Sequence, residues 1–361
     1  MREAHLFFAT LDCMRRFVCF FALLPIATVI ANAQWQIQAS NTTADLRGIH
    51  AIGHRVAWAS GTNGAVLRTT DEGKTWQTCS IPQGAEHLDF RGVRAFDANT
   101  AFVMSIGKGG LSRIYKTTDA CRTWKLVFTN PDPDGFFDGI VLNSNDKYGE
   151  LVGDPVKGNF AFWETSDKGN TWERVKDGGL ESLKDEGAFA ASNSSLFLNE
   201  HVGTGFVTGG PTGARILTNQ GGNHPFVSHA LPLARGAAST GAFSIQIRES
   251  CCWVIVGGDY SKPLDSTGTA AYTRDGGQTW HSAHIPPHGY RSAVAYDDDT
   301  RTWITVGPDG TDFSNDDGEN WWPLHPNLKK HEAADADKNW NALSLPFAVG
   351  PKGRIGKLNA R

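Results

Sequence analysis

A chain of 361 residues with 40% hydrophobic and 20% charged residues has ample material for a packed core, which excludes a disordered polypeptide. A formal net charge of −4 with no Lys/Arg-rich run excludes an electrostatic footprint for nucleic acid or an anionic membrane. Forty glycines and 11% aromatic residues, without a long helical pattern, point to short strands joined by tight turns.

The first predicted element is an export signal. Arg15-Arg16 precede the apolar stretch Phe17 to Ile30, and Ala31-Asn32-Ala33 before Gln34 forms an A-x-A cleavage pattern. Met14 offers an alternative start with a cleaner signal. The apolar run is short for a membrane span. Residues 1–33 therefore read as a signal peptide cleaved near Ala33-Gln34. That leaves a secreted or periplasmic chain, 34–361, with no transmembrane span; an uncleaved anchor is the alternative.

Cys79, Cys121, Cys251 and Cys252 remain after cleavage. An exported compartment permits disulfides, so a Cys79–Cys121 bridge stays open. Adjacent Cys251-Cys252 can pair only through a strained geometry. The plainer reading makes all four core or strand residues. With no C-x-x-C and no His/Cys cluster at zinc spacing, neither a metal site nor a cofactor is expected.

One phrase then recurs along the chain: Thr69-Thr70-Asp71-Glu72-Gly73-Lys74-Thr75-Trp76. It returns around Asp119 and Trp124, Asp167 and Trp172, Asp275 and Trp280, and Asp316 and Trp321, with a weak copy at Thr218-Asn219-Gln220-Gly221-Gly222. The intervals at the Asp position are 48, 48, 53, 55 and 41 residues, the period of a four-stranded propeller blade. In this box Asp and Ser/Thr side chains bond the turn backbone, Gly supplies a positive φ and Trp plugs one blade against the next. One carboxylate per turn makes a poor calcium site.

A hairpin precedes each box, as in Val56–Gly61 followed by Ala65–Thr69. A seventh hairpin, Phe347 to Ile355, has no box after it, and Trp35–Gln38 can supply its missing outer strand. Such closure removes two exposed edges. The fold class expected is therefore all-β, a seven-bladed β-propeller of four-stranded blades, closed by its terminal strands and monomeric. Insertions at 130–138, 177–185 and 260–268 read as longer loops that can stand over one face.

The opening of each innermost strand gives a candidate column: Arg47, Arg91, Asp138, Glu186, Thr240, Arg291 and Asn341. Innermost strands line the axial channel, so the column predicts a polar ring at one mouth. Three arginines beside two carboxylates suit an anionic group. The competing interpretation is a self-neutralising network in a wet channel. Asp154 and Asp259 are weaker candidates, and Trp58 reads as core rather than paving for the mouth.

The segments WASGTNGAVLRTTDEGKTW, LDFRGVRAFDANTAFVMS and SRIYKTTDACRTW resemble the photosystem II stability/assembly factor-like proteins with BNR repeats, best over residues 45–175. The boxes also resemble the wider sialidase-like superfamily. The first resemblance implies a lumenal or periplasmic seven-bladed protein that binds assembling protein partners through an arginine-rich face. The expected partner is thus a protein or peptide with an acidic or carboxylate group. Some such proteins carry an oxidoreductase label, for which no nucleotide, haem or flavin motif appears here. The alternative is a sialidase-like glycoside hydrolase with Arg47, Arg91 and Arg291 on the substrate carboxylate and Glu186 or Asp138 as acid. The Arg-Ile-Pro phrase usual before the first box of that family is absent.

Overall fold

The computed structural model describes residues 34–143, 147–175, 178–221 and 224–359. The signal-peptide reading, on 1–33, lies outside the described residues. Strand order is dictated by how apolarity falls from inside to outside. Second strands such as Ala101–Ile106 and Trp253–Asp259 are buried along nearly their whole length, because neighbouring blades cover both faces. Fourth strands such as Gln77–Thr78 and His281–Ser282 are polar and exposed. Seven four-stranded antiparallel sheets result. Their innermost strands, in chain order, are Leu46–Ile52, Asp89–Ala95, Phe137–Leu142, Leu196–Asn199, Thr240–Ile247, Ala293–Asp297 and Ala342–Ser344. These define blades one to seven.

Blade seven takes its outer strand from the other end of the chain. Gln34–Gln38 pairs antiparallel with Ile355–Asn359, with Trp35 opposite Leu358. Trp35 is buried against Trp340, ring centroids 5.2 Å apart, and its indole N–H donates to Thr311 Oγ1 of blade six at 3.1 Å. The expected closure is therefore present.

The boxes form one turn five times over. In blade one Thr75 donates to Asp71 through its N–H (2.9 Å) and its hydroxyl (2.7 Å), and the Gly73 N–H donates to Thr69 Oγ1 (3.0 Å). Asp119, Asp167 and Asp275 repeat these bonds, and at Asp316 the N–H and Nδ2 of Asn320 replace the two threonine donors. Gly73, Gly169, Gly277 and Gly318 take the positive φ. Each box tryptophan packs on the preceding blade: Trp76 edge-on to Phe347 of blade seven, Trp172 beside Phe128 of blade two, and Trp321 in a cluster with Val254 and Tyr272 of blade five. Trp124 donates to Ser80 O of blade one at 2.8 Å. Trp280 joins the cluster that holds Trp253 and Phe197. In the weak copy Gln220 has no carboxylate to accept these donors, and Gly222 lies outside the described residues.

Two expectations change. Cys121 occupies the glycine position of its box, with φ 61°, and is bonded to Cys79 at the outer edge of blade one. This pair is therefore a staple between blades one and two rather than two isolated core residues. Blade four also differs. Gly187 makes a bridge to Gly209, as an innermost strand should, but the chain then leaves the sheet and re-enters only at Leu196. Residues 186–189 do not form the innermost strand.

A plugged axis and the basin above it

The excursion of blade four crosses the propeller axis. Asn193 accepts from the Ile140 N–H (2.8 Å) and donates to Ile140 O (3.1 Å) of blade three and Val93 O (3.5 Å) of blade two. The Ile245 N–H donates to Ser194 O (2.8 Å), and Ser194 Oγ bonds Ser244 Oγ (2.7 Å), both of blade five. Ser192 Oγ reaches Ser292 O beside blade six (2.7 Å). A segment held by the innermost strands of blades on both sides of the ring is a plug. It satisfies backbone groups that would otherwise face an empty channel.

Backbone bulges aim side chains at the space over this plug. The pairing of innermost with second strand slips at Arg47, Arg91, Asp138 and Phe243. A bulged residue leaves the ladder and turns its side chain out of the regular alternation. Four positions therefore correspond structurally, and the blade-five member is Phe243, not Thr240. Blades six and seven show no such slip.

The result is a basin of about 680 Å³ floored by Ala188, Ala190 and Ala191 of the plug. One wall is aromatic: Phe189 stacks on Phe243 at 4.0 Å, Tyr290 meets Phe243 edge-on at 4.9 Å, and Tyr260 stands edge-on to both phenylalanines. The other wall is polar, with Arg91, Asp138 and Asp154. Asp134, Asp185 and Tyr260, from the three inserted loops, complete the rim.

The electrostatics follow from burial. Arg91 Nε donates to Asp89 (3.0 Å) and Nη1 to Ala190 O of the plug (3.1 Å). Arg47 lies close enough to Arg91 and Tyr290 to feel both; burial and Arg91 lower its affinity for the proton, and its buried Nε has no hydrogen-bond partner. Burial pushes the Asp138 carboxyl well above the usual range, the Asp154 charge adds to this, and Arg91 opposes it. Asp138 is 2% exposed and its Oδ2 has no partner. Asp154 rises to about 6 by burial, against the Ala188 N–H that it accepts at 3.1 Å.

The other members of the column turn their side chains elsewhere, although Glu186 also lines the basin. Arg291 is fully buried between Asp309 and Asp312, with Nε to Asp312 at 2.7 Å and His288 alongside. Its N–H donates to Gly257 O as the Leu46 N–H donates to Gly350 O, so Arg291 holds the core position one residue before that of Arg47; its side chain enters the blade, and Tyr290 lines the basin. Glu186 is enclosed by Arg215 (2.6 and 2.9 Å), Thr208 (2.6 Å) and the Leu183 N–H (2.7 Å). Thr240 bonds Ala237 O (2.7 Å), and Asn341 Nδ2 donates to Leu46 O (2.8 Å) at the joint with blade one. Trp58 is core, its indole N–H on Asp97 O, and Asp259 is held by Ser261. The ring expected from the sequence is thus a two-arginine patch beside an aromatic wall. Other cavities, of about 770 Å³ over blades six, seven and one and about 400 Å³ beside Glu150, contain no residue of the column.

Fold and boxes define the class: a seven-bladed Asp-box propeller. Within that class the chain resembles the photosystem II assembly factor-like proteins, and the family model described as photosynthesis system II assembly factor YCF48 matches residues 27–195. A solved structure of YCF48 bound to D1 peptide superposes with TM-score 0.62 at 17% identity, covering 91% of this chain and 97% of that one. YCF48 from Cyanidioschyzon merolae gives TM-score 0.59 at 17% identity, covering 91% and 99%. Among curated proteins, a xyloglucanase of Acetivibrio thermocellus is 28% identical over 158 residues, 37% of this chain and 19% of its own length. A xyloglucanase of a Paenibacillus species is 24% identical over 166 residues, 40% and 16% respectively. The chain thus spans less than a fifth of the curated relatives it matches.

Proposed function

We propose that this protein is an exported, non-catalytic propeller that binds a segment of a protein partner in the basin over the plug, as an assembly or stability factor for an envelope or membrane complex. Arg47 and Arg91 receive an acidic side chain or a C-terminal carboxylate, and the aromatic wall takes an apolar neighbour. The plug is the observation that carries this reading. It converts a through-channel into a floored basin with Arg91 on its polar wall, and Arg47, whose buried Nε lacks a partner, lies near Arg91. The structural likeness to a propeller carrying a bound peptide supports the same reading. A sialidase-like hydrolase is not favoured, because Glu186 is committed to Arg215 and Arg291 stands apart from Arg47 and Arg91.

The test is an array of peptides with free or amidated C termini and with acidic or neutral sequences, probed with the mature chain and with Arg47→Ala/Arg91→Ala, both shown to be folded. Binding of acidic or free-carboxylate peptides at least tenfold weaker in the variant is expected. Equal binding by the two proteins would return both arginines to a structural role.

A further inference from the structure

The adjacent cysteines 251 and 252 have no part in the basin. They sit in the turn between the strands Thr240–Ile247 and Trp253–Asp259, at the end of blade five that carries its box. Their Sγ atoms are 2.9 Å apart. That is much nearer the disulfide length of about 2.05 Å than adjacent side chains pointing apart would allow. The turn is fixed on several sides. The Gly276 N–H donates to Cys251 O (3.1 Å), the Arg248 N–H to Cys252 O (3.1 Å), and the Trp253 indole N–H to Glu249 O and Ser250 O (3.1 Å each).

The two sulfurs differ in what can reach them. Cys251 is half-buried, and its S–H points to Glu249 Oε2 at 3.9 Å. Cys252 is 8% exposed, and burial with the neighbouring Cys251 pushes its thiol up to about 11. The Arg248 guanidinium lies beside the Cys252 sulfur and is anchored on Asp317 at 2.7 Å. An incoming reagent therefore meets Cys251 first, while Cys252 waits behind it with a cation at hand. The same chain already holds a disulfide between Cys79 and Cys121.

We infer that Cys251 and Cys252 are a redox modification site that closes into a vicinal disulfide by exchange with an external disulfide, either a small-molecule disulfide or an oxidised protein dithiol. The Cys251 thiolate, its proton passed to Glu249 or water, attacks one sulfur of the external disulfide and expels the other as a thiolate. Cys252, losing its proton beside Arg248, then attacks Cys251 Sγ and expels the second thiol. Two cysteine thiols are oxidised, one disulfide is reduced to two thiols, and no other reactant is needed. The strained eight-membered ring makes this bridge more easily reduced than Cys79–Cys121.

The mature chain is reduced, exposed to oxidised glutathione, acid-quenched, alkylated and peptide-mapped. We expect the peptide carrying residues 251 and 252 to be unalkylated and two hydrogens lighter than its dithiol. Mild reductant should reopen this link before Cys79–Cys121. Cys252→Ser should accumulate glutathione on Cys251, and Cys251→Ser should be modified at least tenfold more slowly. Two alkylated thiols at 251 and 252 in wild type whose Cys79–Cys121 bond is closed would overturn the inference. So would stable glutathione adducts on the wild-type pair. Protection of the reduced pair from alkylation by one equivalent of zinc or copper(I), with no disulfide formed under oxidised glutathione, would make it a metal site instead.

Discussion

Four aspartates with the same three threonine donors, and Asp316 with serine and asparagine in their place, behave as one repeated chemical unit. In the folded state Asp71, Asp119, Asp167 and Asp275 are held at about 2, chiefly by the hydroxyl and N–H of the threonine four residues on. Their unfolded value is near 3.8. A depressed carboxylate contributes stability that is present above the unfolded value and lost as pH falls through the folded one. We therefore expect an acid transition between about pH 4 and 2, with these aspartates titrating near 2 by NMR; titration near 4 would contradict the box geometry. Glu150 works in the opposite sense. Burial raises it to about 8, with Thr204 opposing and Glu164 adding to the rise. Its contribution is full below about pH 4.5 and lost as pH rises to 8. Glu150→Gln should raise the Tm at pH 8 relative to wild type, by roughly 2–4 kcal/mol of stability, and leave pH 4 nearly unchanged. At this scale the boxes were legible, because eight residues recur with their donors and acceptor in place. The fate of Arg291 was not. Whether that side chain faces the basin or its own blade depends on a register, one residue away from that of Arg47, that the residues Tyr290-Arg291-Ser292 do not announce.

Elements differ in how much of their environment is local. The hairpins could be placed because their partners lie a few residues away and their glycines and apolar runs set the limits. The plug could not. Ser192-Asn193-Ser194-Ser195 carries no strand signal, and its partners are backbone groups and the Ser244 hydroxyl about 50 to 100 residues distant. The offset of Glu186-Gly187 imitated a strand opening, and Gly187 does make the first bridge. Nothing nearby signals that the chain then crosses the axis. Asn193 gives this element a test. Asn193→Ala leaves the Ile140 N–H and two carbonyls without their partner in a confined place, a loss of about 1–3 kcal/mol, read as a lower Tm with the far-UV spectrum retained. A Tm equal to wild type would show that the crossing loop does not hold the blades.

At the scale of the whole molecule the fold rests on blade-to-blade contacts and on a ring without ends. Trp76→Ala removes the packing of blade one on Phe347 of blade seven and should cost about 3–5 kcal/mol; an unchanged urea midpoint would remove Trp76 from the core. Blade number and closure were readable, since a period near 48 residues and an orphan strand at each terminus require them. The basin was only half readable, since Arg47, Arg91 and Asp138 emerge from the repeat whereas Phe189 and Phe243 do not. What joins these residues is the plug that floors them, on which a partner segment is proposed to bind. Hydrogen exchange of the mature chain, with and without the tightest peptide from the array, tests this most directly. Slowed exchange at residues 188–191 and 260–264, with the box turns unchanged, is the outcome this account requires. Protection confined to the box turns, with the plug exchanging as in the free protein, would contradict it.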